Sequence, residues 1–219
     1  MSASASSSAL ASLRQLLSAR FPQAARPPSS TLPTGIAGLD EATQGGLPRH
    51  ALTELVCSVP SCGGELFLGQ LLHAVRDSAG RVALIDTSDS FDPGSWPADD
   101  LRCLVWLRCR QIAEAMAVAD LCARDANLEL VIFDLRRAAA SDLRRIASRT
   151  WYRLQRAAEQ TNAAFVAFTS TATVPSAQLR LTLNRSLDFA ALSTARPALT
   201  TALTITVQRQ RTVSIHATA

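Results

Sequence analysis

From Leu32 onward the chain alternates between short apolar runs and amphipathic stretches. LTELVCS (52–58), VALID (82–86), LRCLVWL (101–107), LELVIFD (128–134) and AAFVAFTS (163–170) are nearly continuous apolar runs. Such runs suit strands buried on both faces of a parallel sheet. Between them, residues 65–79, 111–125 and 141–160 read as helices. The alternation predicts an α/β fold, a mostly parallel twisted sheet flanked by helices. The last forty residues change character: LTLNRSLDFAAL, LTTALTITVQRQ and TVSIHAT alternate with period two. They predict successive antiparallel strands extending the sheet.

Ahead of this core, expected to span 32–219, residues 1–8 are Ser/Ala low complexity and are expected to be disordered. Leu10, Leu13, Leu16, Leu17 and Phe21 recur at helical spacing and predict an amphipathic helix over about 9–21. Pro22 ends it, and PQAARPPSS follows as an extended linker up to residue 31. The apolar face of that helix either folds back on its own domain or docks on another subunit.

Composition narrows the class. Hydrophobic content of 47% and charged content of 18% belong to a globular protein. No run approaches the roughly 20 apolar residues of a membrane span. MSASASSSAL has neither a basic leader nor an apolar signal core, so a cytoplasmic location is expected. Five cysteines form no CxxC pair and three histidines are scattered, so no metal site is expected. The cysteines read as small buried residues of a reducing compartment. A net charge of +4 is compatible with nucleic acid. All 22 basic residues are arginine.

Ligands of such sheets sit at the carboxyl ends of the strands. VCSVPSCGGELFLGQLL occupies the place of a phosphate loop of the form GxxxxGK[ST]. Depending on register, Cys57 or Ser58 stands at the first glycine, and Cys62 or Gly63 at the second. Gly63 or Gly64 then stands at the lysine, and Gly64 or Glu65 at the hydroxyl residue. Because the chain has no lysine, no register restores one. Glu65 also sets a negative charge at a helix N-terminus that would otherwise attract phosphate. Asp134 ends an apolar strand, where it is either a magnesium-site carboxylate or a partner for Arg136 or Arg137.

LPTGIAGLDEATQGGLP, then LTELV, the loop-like turn and IDTSDSFDP resemble the RecA ATPase core over about residues 32–216. The resemblance also exposes losses. Ser88 stands where RecA-type proteins carry a catalytic glutamate. Thr169 and Ser170 stand where they carry an Asn-Gln pair leading into a long DNA loop. Within the superfamily, the chain most resembles the ImuA family, accessory proteins of SOS-induced mutagenic translesion synthesis. That resemblance implies a non-catalytic protein without cofactors, its nucleotide site degenerate at Cys57, Ser58, Cys62, Gly63, Gly64, Glu65, Ser88 and Asp134. It implies ImuB-like polymerase homologue, error-prone polymerase and RecA as partners, with DNA held through phosphates and hence nucleoid association. A chain that keeps the N-terminal helix and the core but lacks the ATP site is further expected to cap RecA filaments and restrain their activity. An ATP-dependent RecA-type recombination regulator with an atypical phosphate loop and a SulA-like cell-division inhibitor are the alternatives.

SDLRRIASRTWYRLQRAAEQTN predicts one helix capped by Ser141, with Leu143, Ile146, Ala147, Thr150, Leu154, Ala157 and Ala158 on its inner side. Arg145, Arg149, Arg153 and Arg156 line the outer side, with Arg136, Arg137 and Arg144 nearby. These arginines form either a solvated face or a surface for DNA phosphates or an acidic partner.

Overall fold

The computed structural model describes residues 30–210. The expected helix with Leu10, Leu13, Leu16, Leu17 and Phe21, most of its linker, and TVSIHAT lie outside the described residues. A short antiparallel ribbon, β1 (Thr31–Leu32) with β2 (Leu47–Pro48), brackets α1 (Ala37–Ala42). The turn before α1 is fixed by Asp40, which accepts from the Thr34 N–H (2.9 Å), the Thr34 hydroxyl (2.7 Å) and the Gly35 N–H (3.0 Å). The TGIAGLD segment is thus held by its own carboxylate.

The main sheet is built from β3 (Ala51–Cys57), β4 (Val82–Asp86), β5 (Leu104–Arg108), β6 (Leu130–Asp134), β7 (Ala164–Thr169), β8 (Leu179–Leu183) and β9 (Ile205–Gln210). Its order is β5-β4-β6-β7-β3-β8-β9, parallel throughout except for the β8–β9 pair. The helices are α2 (Gly64–Asp77), α3 (Ala98–Leu101), α4 (Ile112–Cys122), α5 (Ala140–Arg145), α6 (Ser148–Ala158) and α7 (Arg196–Thr201). This is the expected α/β architecture, and it is consistent with a RecA-like core.

Each central strand feeds two cores, because successive side chains leave a strand on opposite faces. On β6, Leu130 and Ile132 join one cluster while Val131 and Phe133 join the other. Phe67, Leu68, Leu71 and Leu72 of α2 cover the first face. Met116 and Ala119 of α4, with Trp151 and Leu154 of α6, cover the second. Each fully buried Leu or Phe contributes roughly 1.5–3 kcal/mol. The two covered faces explain why these strands read as unbroken apolar runs.

Three expectations need correction. First, the helix expected over 141–160 is interrupted: α5 ends at Arg145, Ile146 and Ala147 are extended, and α6 spans Ser148–Ala158. Ala139, not Ser141, precedes the first turn of α5, and it makes no side-chain cap. No Gly or Pro marks the break; Ile146 packs against the second cluster, so tertiary contact favours the extended pair. Second, Leu101 belongs to α3, and the strand expected over 101–107 is Leu104–Arg108, a partly exposed edge. Third, the C-terminal extension carries the expected antiparallel pair, β8 with β9, but the segment between them is not a strand. β8 lies parallel to β3, and LDFAAL winds into a 3-10 turn, Phe189–Ser193, opened by Asp188 accepting from the Ala191 N–H at 3.2 Å. Pro197 then sits in the first turn of α7, a position where its missing N–H costs nothing.

The approach to β8 is fixed by long-range bonds that a period-two pattern cannot signal. The N–H groups of Thr173 and Val174 donate to Glu54, and the Gln178 N–H donates to the Leu52 carbonyl at 2.8 Å. Among the described residues no helix is long and apolar enough to cross a membrane.

Candidate functional site

The turn between β3 and α2 forms one wall of a cleft of about 940 Å³. Cys57, Ser58, Cys62, Gly63, Gly64 and Glu65 all line it. Arg136 and Arg137 enter from the end of β6, and Ser170 from the end of β7. Leu187, Phe189 and Leu192 close the far side. The cleft therefore stands at the carboxyl ends of parallel strands, where the topology places ligand sites.

Gly63 precedes α2 with φ +89, a left-handed conformation that suits glycine. A Cβ built there would also lie 2.3 Å from Leu203. One at Gly64 would lie 2.8 Å from Arg136 Nη1 and 2.9 Å from Cys57 Sγ. A side chain at either candidate lysine position would therefore require Leu203, or Arg136 and Cys57, to shift.

Arg136 is the centre of the site. Its Nε donates to Asp134 Oδ1 at 2.9 Å and its Nη2 donates to Asp134 Oδ2. Nη2 also donates to Glu65 Oε1 at 2.7 Å, and the guanidinium lies 5.2 Å from the Phe168 ring centre. Burial opposes its charge, but the bonds to Asp134 and the charges of Asp134 and Glu65 more than offset that and raise its pKa. Asp134 is 4% exposed, and its two oxygens are taken by one planar fork. Of the two readings open for Asp134, the geometry gives a partner for Arg136. Arg136 is correspondingly not part of a surface for DNA, because its side chain is turned inward onto Asp134 and Glu65.

Ser88 is exposed, and it does not line the cleft. Its N–H instead donates to Asp86 (3.0 Å), which also accepts from the N–H groups of Ser90 and Phe91 and from the Trp106 indole. Thr169 is buried and its hydroxyl donates to Glu54 at 3.1 Å, whereas Ser170 faces the cleft. Sequence reasoning misses Glu54. It is fully buried in the middle of β3, where its Oε2 accepts from Arg180 Nε at 2.6 Å. A carboxylate inside LTELV is the available signal, since a buried charge needs a partner. Phe189 and Leu192, expected within a strand, are 92% and 83% exposed and form the rim instead.

The remaining arginines divide between elements. Arg144 and Arg145 lie on α5, and Arg149, Arg153 and Arg156 on α6, so the expected four-residue stripe is a three-residue one. All five are exposed. Arg153 meets Asp120 of α4 at 3.2 Å and Arg145 meets Asp142 at 3.5 Å. Exposed pairs of this kind hold the side chains only weakly. Arg137 is exposed at the mouth of the cleft, apart from these helices.

Fold and site together define a chain with a RecA-like sheet and a loop at the nucleotide position that differs from a phosphate loop. Comparison with known proteins agrees at that level. The chain is similar to Protein RecA of Picosynechococcus sp., 29% identical over 120 residues, which is 52% of this chain and 33% of that protein. The matched part thus spans about a third of that relative's length. No family model matches the chain.

Proposed function

We propose that this chain is a RecA-like accessory protein that acts by binding partners and does not turn over nucleotide, in the manner of the ImuA family. The observation that carries this reading is the guanidinium of Arg136, bonded to Asp134 and Glu65 at the mouth of the loop. These residues do not fit a magnesium–nucleotide. A magnesium ion would have to displace an arginine held by two carboxylates, and a side chain at either candidate lysine position would have to push aside Leu203, or Arg136 and Cys57. Ser88, at the position of the catalytic glutamate, carries no carboxylate to act as a general base and does not line the cleft.

What remains is a set of binding surfaces. Arg149, Arg153 and Arg156 present a basic face suited to phosphates or to carboxylates of a partner. Similarity to RecA favours a RecA-related setting, and the ImuB-like polymerase homologue, an error-prone polymerase and RecA are the partners to test. Restraint of RecA filaments is the expected effect.

Titration calorimetry of the purified chain with Mg·ATP is the direct test, and no saturable heat and no phosphate release are expected. Low-micromolar affinity, or turnover lost in Asp134→Ala, would overturn the reading in favour of an ATP-dependent regulator. Co-purification with an ImuB-like protein or RecA then separates the accessory role from other non-catalytic roles.

A further inference from the structure

Helix α6 has two faces that differ in kind. Trp151, Leu154, Ala157 and Ala158 sink into the second core and fix the helix in place. Arg149, Tyr152, Arg153 and Arg156 stand at i, i+3, i+4 and i+7 on the opposite face, and all four are exposed. Tyr152 is 49% exposed and joins neither core. An aromatic ring thus stands open to solvent with an arginine three residues before it and another four residues after it.

Charge around this face is unbalanced. Asp120 of α4 meets Arg153 at 3.2 Å, but it is shared with Arg124 at 3.0 Å. Asp142 meets Arg145 of α5 at 3.5 Å, and Glu159, just past α6, accepts from Gln155 at 3.0 Å. Arg149 and Arg156 make no ion pair among the described residues. Two exposed guanidinium groups on α6 are therefore available to an anion, and their planar forks match phosphate.

We propose that α6 is a platform for single-stranded nucleic acid, with a base stacked on the Tyr152 ring and the neighbouring phosphates held by Arg149, Arg153 and Arg156. The proposal rests on the reading of α6 as a basic binding face and adds the class of ligand. Both of its parts are needed. Phosphate contacts alone supply an attraction that salt weakens, and a stacked ring adds one that salt leaves in place.

The ring decides between ligands that the arginines alone would accept. An acidic peptide satisfies the guanidinium groups and leaves Tyr152 unused. A duplex presents phosphates, but its base faces are covered by their neighbours. A single strand offers open base faces alternating with phosphates, and any base serves because each has a ring face. The spacing suits it. Arg149 and Arg153 are one turn apart, about 6 Å along the axis, and Arg156 is about 10 Å from Arg149, with Tyr152 between them. Phosphates on both sides of one stacked base thus find a guanidinium group.

The test is fluorescence anisotropy of the full chain with a labelled oligothymidylate of about 15 nucleotides, an abasic strand of the same length and a duplex. Tyr152→Ala is expected to weaken oligothymidylate binding at least about fivefold, through the loss of one stacked base. It is expected to leave the salt slope unchanged, since no phosphate contact is removed, and to leave binding of the abasic strand and the duplex unchanged. Tyr152→Phe keeps the ring and is expected to keep the affinity. Arg149→Gln is expected to do the converse, lowering the salt slope with every probe. Unfolding midpoints are expected to match the wild type, because both side chains are exposed. Equal oligothymidylate affinity in wild type and Tyr152→Ala, with Arg149→Gln still weaker, overturns the stacking and leaves a face that reads phosphate alone. Polyglutamate that displaces the oligomer as well as unlabelled oligothymidylate does assigns the face to an acidic partner, and saturable binding to none of the strands also overturns the proposal. None of these results touches the accessory reading, which stands on Arg136 and its own calorimetric test.

Discussion

Arg136 donates to Glu65 at 2.7 Å across 71 positions of sequence, joining the end of β6 to the first turn of α2. The same guanidinium grips Asp134 two residues before it. One arginine therefore neutralises two acids that would otherwise face each other over the loop. It also closes the space above Gly64.

Removing that guanidinium leaves Asp134 buried without its partner. Arg136→Ala is expected to cost about 3–5 kcal/mol, read from the urea midpoint, because a buried charge loses its counter-charge. Asp134→Asn in the same background is expected to recover part of the loss, and neither variant is expected to hydrolyse ATP. A midpoint unchanged in Arg136→Ala would show the pair to be a weak surface contact.

Glu54 and Arg180 make the second buried pair, and it ties β3 to β8. Glu54→Gln leaves Arg180 without its charge partner and weakens the bonds from Thr169, Thr173 and Val174. Each single variant, Glu54→Gln or Arg180→Met, is expected to lose several kcal/mol, of order 3. The double variant is expected to lose less than the sum, with a coupling of about 0.5–3 kcal/mol in a double-mutant cycle. Additive losses would place the energy elsewhere.

The α6 face is expected to carry any binding to single-stranded DNA. Arg149→Glu, Arg153→Glu and Arg156→Glu together are expected to abolish it, with unfolding midpoints little changed because the side chains are exposed. Each phosphate that a single substitution leaves unneutralised is expected to lower the salt slope by about 0.7. Arg144→Glu with Arg145→Glu, on the separate helix α5, is expected to have the smaller effect. Fluorescence anisotropy over a salt series measures both, and equal effects would argue against a face confined to α6.

Gly69 is where α2 meets Trp96. A Cβ there would lie 2.0 Å from the indole, which stacks on Phe91 with ring centres 6.0 Å apart. Gly69→Ala is expected to destabilise by about 1–3 kcal/mol through overpacking and to alter the near-ultraviolet dichroism of tryptophan. Trp96→Leu in that background is expected to restore part of the stability.

Which parts are legible in the sequence follows from the range of the forces involved. The strands VALID and LELVIFD are visible because burial on both faces demands apolar residues at every position, a local signature. The poor match to a phosphate loop is visible because it needs only the absence of lysine and the presence of Glu65. The break at Ile146 is not visible, since no local breaker makes it and only packing on the second core favours it. The parallel placement of β8 is equally silent, because a strand's pattern records which faces are buried and not which way its neighbour runs.

The sequence by itself determined the alternation of elements, the two-sided burial of the sheet and the chemistry that the loop lacks. Only the tertiary structure decided the use of what is present. Arg136, counted with a basic surface, became an internal counter-charge because β6 ends beside the start of α2. Glu54, one acid in an apolar run, became the tie between three strands because Thr169 and Arg180 meet it from β7 and β8. The physical reason is common to both. Charge pairing at low exposure depends on distances between segments far apart in the chain, and only the folded packing of the sheet sets those distances.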